Sequence, residues 1–263
     1  MRSKNNSKLA QNDNHDPESF FGFKQVSFKQ KYSLVQNVFS SVASKYDVMN
    51  NLMSLGVHYL WKKEMLKLLP NFGSLLDVAG GTGDIARLYY LKAQQQNIEP
   101  DVVIYDFNLA MLKACRANLI DSNIISGISL ICGDALALPF SENSFDYYTI
   151  AFGIRNVVDI KQVLSEALRV LKPGGKFVCL EFSKVHNDLL SRVYDIYSFS
   201  VIPTIGAYVA NDRESYQYLV ESIKKFPNQK DFLQLIEQAG FINSGYKNLT
   251  FGVTALHHGY KAE

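Results

Sequence analysis

Short apolar segments alternate with amphipathic helical segments along the middle of the chain, and this alternation is the strongest constraint on its fold. The pattern predicts strands at 74–79, 102–106, 128–132, 145–151 and 176–182, and helices at 84–95, 109–119 and 160–171. A last helix at 229–239 precedes two further strands at 241–246 and 250–257. Because strands that alternate with helices form parallel sheets with right-handed crossovers, we predict an α/β fold with a doubly wound, mostly parallel seven-stranded sheet.

The segments around this sheet divide the chain further. Residues 1–19 contain no aromatic residue and are rich in Asn, Ser and Lys, which predicts a flexible arm. Residues 20–263 are predicted to form a single domain, with a helical lid at 20–70, broken at Gly56, and a Tyr/Phe-rich insertion at 187–228. The segment Lys172-Pro-Gly-Gly175 is predicted to turn the chain from a helix into the next strand, because Pro ends a helix and Gly accepts a positive φ.

Charge and cysteine usage exclude several classes of protein. The chain has 27 Lys and Arg against 25 Asp and Glu, so it lacks the basic excess of a dedicated nucleic-acid binder. Its three cysteines have no Cys-x-x-Cys spacing, and the adjacent His257 and His258 point to opposite faces of a strand, so we predict no metal site. No segment has the roughly 20 apolar residues of a simple membrane-spanning helix.

A glycine-rich turn follows the first strand of the sheet and carries the strongest functional signal. It reads Asp77-Val-Ala-Gly80-Gly81-Thr82-Gly83-Asp84. Glycines let a ligand approach the backbone, and the N-terminus of the following helix offers free N–H groups. A purely structural tight turn is one alternative, and Gly81, Gly83 and Ala86 also match a dinucleotide fingerprint.

Two carboxylates follow the next two strands at the same predicted edge. Asp106 closes the second strand, where a carboxylate can accept both hydroxyls of a ribose. Asp134 follows the third strand and can accept the exocyclic amine of adenine, with the Ala135 amide donating to a ring nitrogen; capping of a loop is the alternative role of Asp134. Together with the glycine turn, these residues predict an adenosine nucleoside across the edge of the sheet.

Electrostatics separates a dinucleotide from a sulfonium nucleoside. The Tyr-x-x-x-Lys spacing that hydride transfer could use, Tyr59 to Lys63, lies before the glycine turn. Asp77 and Asp84 would repel a pyrophosphate, whereas Asp77 suits the positive amino end of S-adenosyl-L-methionine. The sequence therefore favours S-adenosyl-L-methionine as the cofactor.

With these motifs, the chain resembles the ubiquinone/menaquinone C-methyltransferase family of the class I, Rossmann-like S-adenosylmethionine-dependent methyltransferases. The resemblance runs from Phe21 to the C-terminus, and the glycine turn is generic for the class. The segments Phe152-Gly-Ile-Arg-Asn156 and Leu180-Glu-Phe-Ser-Lys184 are specific to the family. Other matching segments lie at 21–23, 38–50, 53–56, 138–140, 169–175, 211–212, 215–219 and 249–252.

The resemblance implies a C-methyltransferase that methylates a ring carbon of a polyprenyl methoxybenzoquinol and/or of demethylmenaquinol. The predicted cofactor-binding residues, from the turn and from the resemblance together, are Asp77, Gly80, Thr82, Gly83, Asp106, Asp134, Ala135 and Ala151. The family often has serine where this chain has Ala151, so backbone contact alone is expected there. In the lid, Asn51 and Tyr59 replace the Asp and Arg that are usual in the family.

The chemistry implied by the resemblance calls for further residues. A hydroquinone carbon becomes nucleophilic when its hydroxyl loses a proton, so the site needs a base or a cation near the phenolate oxygen. We expect Arg155 to bind the phenolate or to orient a water, and Asn156 to hold the second oxygen. An ion pair of Arg155 with Asp134 or Asp159 is the alternative. Asp212 and Tyr216 are predicted to recognise the ring within the insertion, which would form an aromatic substrate cap; ordinary core is the alternative for its aromatic residues.

The expected polyprenyl quinol substrate would be dissolved in a bilayer, so we predict peripheral contact with a membrane. The short, Asn-rich arm favours the bacterial cytoplasm at the inner membrane over the matrix side of a mitochondrial inner membrane. A homodimer and a quinone-biosynthetic complex are both compatible with the sequence. Two alternatives stay open: a methyltransferase of the same fold that acts on another small phenol or lipid, and a catalytically silent subunit of such a complex.

Overall fold

The computed structural model describes residues 18–70, 72–185, 192, 197–201, 203–204 and 212–263. Residues 1–17 of the predicted arm therefore lie outside the described residues, whereas Glu18 and Ser19 belong to a strand. Seventeen of the 42 residues of the predicted insertion at 187–228, Tyr194 and Tyr208 among them, also lie outside the described residues. In the described part of the chain, no helix is long and apolar enough to cross a membrane, and no group of His, Cys, Asp and Glu side chains could hold a metal ion.

The described residues form strands and helices that we number in chain order. The strands are β1 Glu18–Phe21, β2 Lys24–Ser27, β3 Ser74–Val78, β4 Asp101–Asp106, β5 Ile128–Cys132, β6 Phe145–Ala151, β7 Leu171–Phe182, β8 Ile242–Leu249 and β9 Thr254–Tyr260. The helices are α1 Phe28–Val42, α2 Tyr46–Ser54, α3 His58–Lys67, α4 Asp84–Gln94, α5 Leu109–Asp121, α6 Ile160–Val170, α7 Arg213–Lys225 and α8 Gln229–Gln238. Eight of the eleven elements whose bounds the sequence predicts begin and end within two residues of that prediction. The exceptions are β7, which begins at 171 instead of 176, β8, which ends at 249 instead of 246, and β9, which spans 254–260 instead of 250–257 because residues 250–252 form a helical turn between the two strands.

Strands β3 to β9 form one sheet in the order β5-β4-β3-β6-β7-β9-β8. Neighbours from β5 to β7 run parallel, and β9 pairs antiparallel with both β7 and β8. The predicted doubly wound, mostly parallel seven-stranded sheet is therefore confirmed. The direction of winding reverses between the adjacent strands β3 and β6, and ligands of such folds bind above the carboxyl ends of strands at this point.

The central strands are apolar on both faces, because helices cover both sides of the sheet. All five residues of β3 are buried, and successive residues point to opposite faces. Leu75 belongs to the core cluster that includes Trp61 of α3 and Tyr89 of α4, whereas Leu76 belongs to the cluster that includes Val163 of α6. The continuous apolar character of the strand therefore follows from its position between two cores.

The predicted turn at Lys172-Pro-Gly-Gly175 is misplaced in the sequence analysis. Strand β7 already begins at Leu171, which pairs with Phe145, and the next pair joins Tyr147 to Lys176. The segment 172–175 is thus an excursion within β7 rather than a connection between α6 and β7. Gly174 has a φ of 72°, and its N–H donates to the carbonyl of Lys261, so the excursion is hydrogen-bonded to the C-terminal end of the chain.

The lid differs from its prediction at its start and agrees with it further on. Before α1 it contains a two-stranded antiparallel hairpin, β1–β2, where the sequence analysis expected helical structure only. Ser27 then caps α1 through a capping box with Gln30. The predicted break at Gly56 is confirmed, since Leu55 and Gly56 adopt left-handed φ values between α2 and α3.

Candidate active site

A cavity lies above the carboxyl ends of β3, β4 and β6, under helix α1, and together with its mouth, which is open to solvent, it encloses about 740 Å³. Four residues that the sequence predicts for the site line it directly: Asp106, Asp134, Ala135 and Asn156. The other residues of its lining are Tyr32, Val35, Phe39, Tyr46, Val78, Ala79, Gly81, Tyr105, Phe107, Met111, Gly133, Phe152, Gly153, Val157 and Val158. The structure therefore brings residues from distant parts of the sequence to the predicted edge of the sheet.

The lid contributes an aromatic wall that the sequence analysis missed. Tyr32, Phe39 and Tyr46 are seven residues apart and all line the cavity, because residues at this spacing share one face of a helical segment. This spacing was the signal that could have identified them. Asn108, which caps α5, donates to the carbonyl of Gln36 at 3.0 Å and so holds α1 over the cavity.

The glycines of the turn are required by close packing and by backbone geometry. Gly83 precedes α4 with a φ of 86°, and a Cβ on it would lie 2.6 Å from Cys115 Sγ. A Cβ on Gly80 would lie 2.8 Å from Ile104 Cγ2 and 3.1 Å from Asp77 Oδ2. Thr82 is buried beside them and does not line the cavity. The turn therefore lets the backbone and the Asp77 carboxylate lie close together.

Asp77 is a buried carboxylate in the central strand with an incomplete set of partners. Its Oδ1 accepts from Thr149 Oγ1 at 2.8 Å, whereas Oδ2 has no hydrogen-bond partner among the described residues. Burial raises the pKa of Asp77 to about 7, against the opposing effects of the Thr149 hydrogen bond, the Ala86 amide and the charge of Lys62. A positive group beside Oδ2 would supply the missing interaction.

Asp106 is a second buried carboxylate and is held by two backbone amides. Its Oδ1 accepts from the N–H of Asn108 at 2.8 Å and its Oδ2 from the N–H of Gly81 at 2.9 Å. Burial raises the pKa of Asp106 to about 6, although both hydrogen bonds favour the charged form. The carboxylate thus links the end of β4 to the glycine turn while its side chain lines the cavity.

Asp134 and Ala135, which follow β5, both line the cavity. Asp134 Oδ1 accepts from the N–H of Leu136 at 3.0 Å, so the loop-capping role that the sequence left open is present. The same side chain still lines the cavity together with Ala135. One oxygen of Asp134 therefore stabilises its loop while the residue borders the space where an adenine is expected.

The cavity is negatively charged. Among the described residues that line it, Asp106 and Asp134 carry carboxylates and none is Lys, Arg or His. Asp84 at the end of the glycine turn pairs with Lys62, which leaves Asp77 as the carboxylate with an unpartnered oxygen. This charge distribution attracts a cation and repels a pyrophosphate, so it favours a sulfonium nucleoside over a dinucleotide.

Arg155 does not line this cavity but lies behind its wall in a buried ion pair. Its Nη1 donates to Glu181 Oε1 at 2.8 Å and to the carbonyl of Phe152 at 2.5 Å. The alternative partners expected from the sequence, Asp134 and Asp159, are wrong, because β7 places Glu181 beside Arg155. Burial raises the pKa of Glu181, and the positive charge of Arg155 opposes this shift.

Asn156 lines the cavity, and its amide is oriented from outside. Tyr218 of α7 donates its hydroxyl to Asn156 Oδ1 at 2.9 Å, and the Tyr218 ring stacks on Phe21 with centroids 4.0 Å apart. Asn156 Nδ2 lies 3.4 Å from the carbonyl of Phe152 and donates to it. Tyr218 of α7, held against Phe21 of the N-terminal hairpin, therefore fixes the orientation of the amide by binding its oxygen.

The remaining predicted residues lie outside the lining. The carboxylate of Asp212 caps α7 by accepting from the N–H of Ser215, and it accepts from the hydroxyl of Ser41. Tyr216 is fully buried, and its hydroxyl has no partner among the described residues. Ala151 ends β6 immediately before Phe152, which does line the cavity. Substrate roles for Asp212 and Tyr216 stay predictions.

Solved structures of methyltransferases share the fold. One is an S-adenosylmethionine-dependent methyltransferase from Thermotoga maritima, a possible histamine N-methyltransferase, with a TM-score of 0.60 and 18% identity over 86% of this chain and 99% of that one. Another is phosphoethanolamine N-methyltransferase 2 of Haemonchus contortus in complex with S-adenosyl-L-methionine, with a TM-score of 0.57 and 17% identity over 78% of this chain and 53% of that one. At these identities the likeness concerns the fold alone.

Sequence relatives are much more similar. The ubiquinone/menaquinone biosynthesis C-methyltransferase UbiE of Rickettsia prowazekii (strain Madrid E) is 52% identical over 242 residues, which cover 92% of this chain and 98% of the relative. The protein of the same name from Rickettsia akari (strain Hartford) is 51% identical with the same coverage. The profile of the ubiE/COQ5 methyltransferase family matches residues 24–261. The chain therefore belongs to the ubiE/COQ5 methyltransferase family.

Proposed function

We propose that the chain is an S-adenosyl-L-methionine-dependent C-methyltransferase of ubiquinone/menaquinone biosynthesis that methylates a ring carbon of a polyprenyl benzoquinol and/or of demethylmenaquinol. Relatives that cover 92% of the chain and bear that name support the reaction. The observation that carries the proposal is the cavity, in which carboxylates without a cation face a wall of aromatic rings. Such a cavity suits a positively charged donor next to a flat, apolar acceptor.

The residues around the glycine turn fit S-adenosyl-L-methionine. The unpartnered Oδ2 of buried Asp77 suits the ammonium of its amino-acid end, and the carboxylate of Asp106 suits the ribose hydroxyls. Asp134 and the backbone of Ala135 border the part of the cavity assigned to the adenine. When bound, this cofactor supplies an activated methyl group on its sulfonium.

Other residues of the chain hold the acceptor and exclude water. The rings of Tyr32, Phe39 and Tyr46 cover the cavity from the lid, and Phe152 closes it from the sheet. Burial of an apolar ring among aromatic side chains is favourable, and exclusion of water strengthens the electrostatic interactions inside. We assign the Asn156 amide to the binding of an acceptor oxygen, because Asn156 is the amide of the lining.

Arg155 acts as a positioning residue in this proposal. Its guanidinium binds the carbonyl of Phe152 and the carboxylate of Glu181, so it fixes the short turn that contains Asn156, a residue of the cavity lining. Phe152 itself has a φ of 57°, a conformation that non-glycine residues rarely adopt and that neighbouring contacts must maintain. The two hydrogen bonds of Arg155 supply such contacts.

The proposed substrate also defines where the protein works. A polyprenyl quinol resides in a bilayer, so we propose peripheral association with the membrane, from the bacterial cytoplasm. The bacterial source of the reported relatives supports the bacterial over the mitochondrial compartment.

The reaction is tested with methyl-labelled S-adenosyl-L-methionine and two short-chain acceptors, a benzoquinol and a naphthoquinol. We expect label in the ring of at least one of them, and the ratio of the two rates identifies the preferred ring. Absence of label in both, from folded protein that binds the cofactor in a calorimetric titration, would contradict the proposal. It would favour another acceptor or a catalytically silent subunit.

The raised pKa of Asp77 predicts that cofactor affinity depends on pH. Below pH 7 the carboxyl group is increasingly protonated and loses its attraction for the ammonium, so affinity should rise with pH by up to about tenfold per unit and level off above about 7. Asp106, with a pKa of about 6, adds to the slope at the acidic end. Asp77→Asn should weaken binding by about 10- to 100-fold and flatten the dependence, as titration calorimetry can measure.

Asp84→Asn is the matched control, because Asp84 flanks the same turn but already pairs with Lys62. Asp84→Asn should keep the pH dependence of cofactor affinity, and an equal loss of affinity in both variants would contradict the role of Asp77.

The stability of the protein without cofactor should depend on pH in the opposite direction. Since the folded-state pKa of Asp77 lies above the ordinary value of 3.8, its contribution to stability falls as pH rises from about 4 through 7, and Asp77→Asn should abolish that fall.

The hydrogen bond from Tyr218 to Asn156 predicts a rate effect without a binding effect. Tyr218→Phe keeps the ring that stacks on Phe21 but removes the hydroxyl that orients the amide. We expect kcat to fall about tenfold while the cofactor Kd is unchanged. The control is Tyr216→Phe, whose hydroxyl has no described partner, and which should keep kcat within about twofold. A larger fall in kcat for Tyr216→Phe than for Tyr218→Phe would contradict this role of Tyr218 and support the recognition of the ring by Tyr216.

The ion pair of Arg155 requires a paired substitution. Arg155→Ala alone leaves Glu181 buried without its counter-charge, which costs about 3–5 kcal/mol and can unfold the protein. Arg155→Met combined with Glu181→Leu removes both charges and should fold and bind cofactor normally. We expect its methyl transfer to be at least about 100-fold slower, because the turn that carries Asn156 loses its anchor. Normal turnover of this double variant would show that Arg155 has no part in the reaction.

A further inference from the structure

Large apolar side chains are exposed where the start of α3 meets the turn between β8 and β9. Leu55 is 77% exposed, Leu60 is 60% exposed and Phe251 is 77% exposed. Trp61 Nε1 donates to Thr250 Oγ1 at 2.7 Å, so Leu60 and Phe251 are each adjacent in sequence to a residue of this contact. We call Leu55, Tyr59, Leu60 and Phe251 the apolar patch.

The patch lies at the same edge of the sheet as the cavity. In the register of β7 and β9, Phe182 at the carboxyl end of β7 pairs with Thr254, so the turn at 250–253 lies at the carboxyl edge. The other end of α3 lies at the opposite edge, because Lys176 at the start of the regular pairing of β7 binds the carbonyl of Leu68. Leu55 and Leu60, at the start of α3, therefore share the carboxyl edge with Phe251.

Two elements connect the patch to the cavity. The Trp61 ring lies 6.1 Å, between centroids, from Phe152, whose side chain lines the cavity. Helix α2 begins at Tyr46, which also lines the cavity, and ends next to Leu55. A surface that contacts the patch would thus lie next to the walls of the candidate active site.

The backbone of the patch is strained where its side chains are exposed. Leu55, Thr250 and Phe251 have φ values of 50°, 45° and 57°, in a region that non-glycine residues, and β-branched Thr above all, rarely adopt. Leu55 and Phe251 are largely exposed, so their side chains gain little packing within the chain in return. Exposed apolar side chains on strained turns are typical of a contact surface.

The charge around the patch identifies the partner. Lys63 is exposed one helical turn after Leu60, Lys184 is exposed next to the turn that carries Phe251, and Lys247 is exposed beside α3. Glu64 of α3 lies beside these lysines and pairs with Lys67 and with Lys247. Exposed apolar side chains flanked by lysines match a bilayer with anionic head groups. The apolar side chains would reach the boundary of the acyl chains, and the ammonium groups would stay among the head groups.

We propose that the apolar patch docks on an anionic lipid bilayer, with the carboxyl edge of the sheet toward the membrane. In this orientation a polyprenyl quinol enters the cavity from the bilayer past α2 and α3, while its isoprenoid tail stays in lipid. The inference rests on the proposed function, since it assumes an acceptor dissolved in the membrane. The lipid headgroup, and not another protein, is the partner that the lysines and the apolar side chains recognise together.

The test uses the full chain with vesicles of phosphatidylcholine and phosphatidylglycerol. Leu60→Ser combined with Phe251→Ser should lower vesicle binding in a sedimentation assay by about tenfold or more. The matched control is Ile125→Ser combined with Phe72→Ser, because these side chains are 87% and 63% exposed at the amino edge of the sheet. The control should bind as the wild type does, and both double variants should methylate a short-chain, water-soluble quinol at the wild-type rate.

The outcomes separate this inference from the proposed function. Equal vesicle binding by the two double variants, or no binding by the wild type, would overturn the docking surface even if the soluble quinol is methylated. Loss of dimerisation in place of vesicle binding would also overturn it and assign the patch to a second copy of the chain. If the wild type binds vesicles but methylates no quinol, the proposed function fails while the surface stands.

Discussion

The buried carboxylate of Asp77 is the constraint on which the site depends. It occupies the central strand, where both faces are covered by apolar cores, and in the described residues its Oδ2 has no partner. Transfer of a charge into such surroundings is unfavourable unless hydrogen bonds and a counter-charge compensate it, and here Thr149 compensates it only in part. The fold therefore carries an unfavourable interaction that the cationic ligand we propose would relieve. Part of the binding energy of such a ligand comes from the way the sheet is built.

Arg155 and Glu181 are also buried charges, but unlike Asp77 they compensate each other. Both are buried, but they face each other at 2.8 Å, and Glu181 accepts in addition from the backbone N–H groups of Arg155 and Phe182. A buried pair of this kind adds little net stability compared with apolar residues, but it specifies one arrangement of the segments that carry it. Here it locks the end of β7 to the turn after β6. The geometry of the wall near Asn156 is thus set by a charge pair that lies outside the lining of the cavity.

The sequence was sufficient to predict the sheet but not every connection around it. The strands from β3 to β6 are short apolar runs bounded by Gly, Pro or Asp, and their alternation with helices predicts a parallel sheet, although not the order of its strands. The hairpin β1–β2 escaped prediction because each strand has four residues and is stabilised by contacts with distant residues, such as Phe21 on Tyr218. The excursion within β7 escaped prediction because Pro and Gly indicate an irregular segment but do not indicate whether it lies before the strand or within it. The partner of Arg155 escaped because register, which sequence leaves undetermined, places Glu181 there.

The amino edge of the sheet carries contacts that stabilise the fold, whereas the carboxyl edge carries the candidate site. At the amino edge, lysine side chains bind carbonyls near the C-terminal ends of helices: Lys92 binds those of Leu66, in the last turn of α3, and of Leu69, just after it, and Lys261 binds that of Leu171, the residue that follows α6. At the carboxyl edge lie helix N-termini and the carboxylates of the site. The same separation places the strained residues Ala79 and Phe152 at the walls of the cavity, where their cost is tied to the shape that a ligand requires.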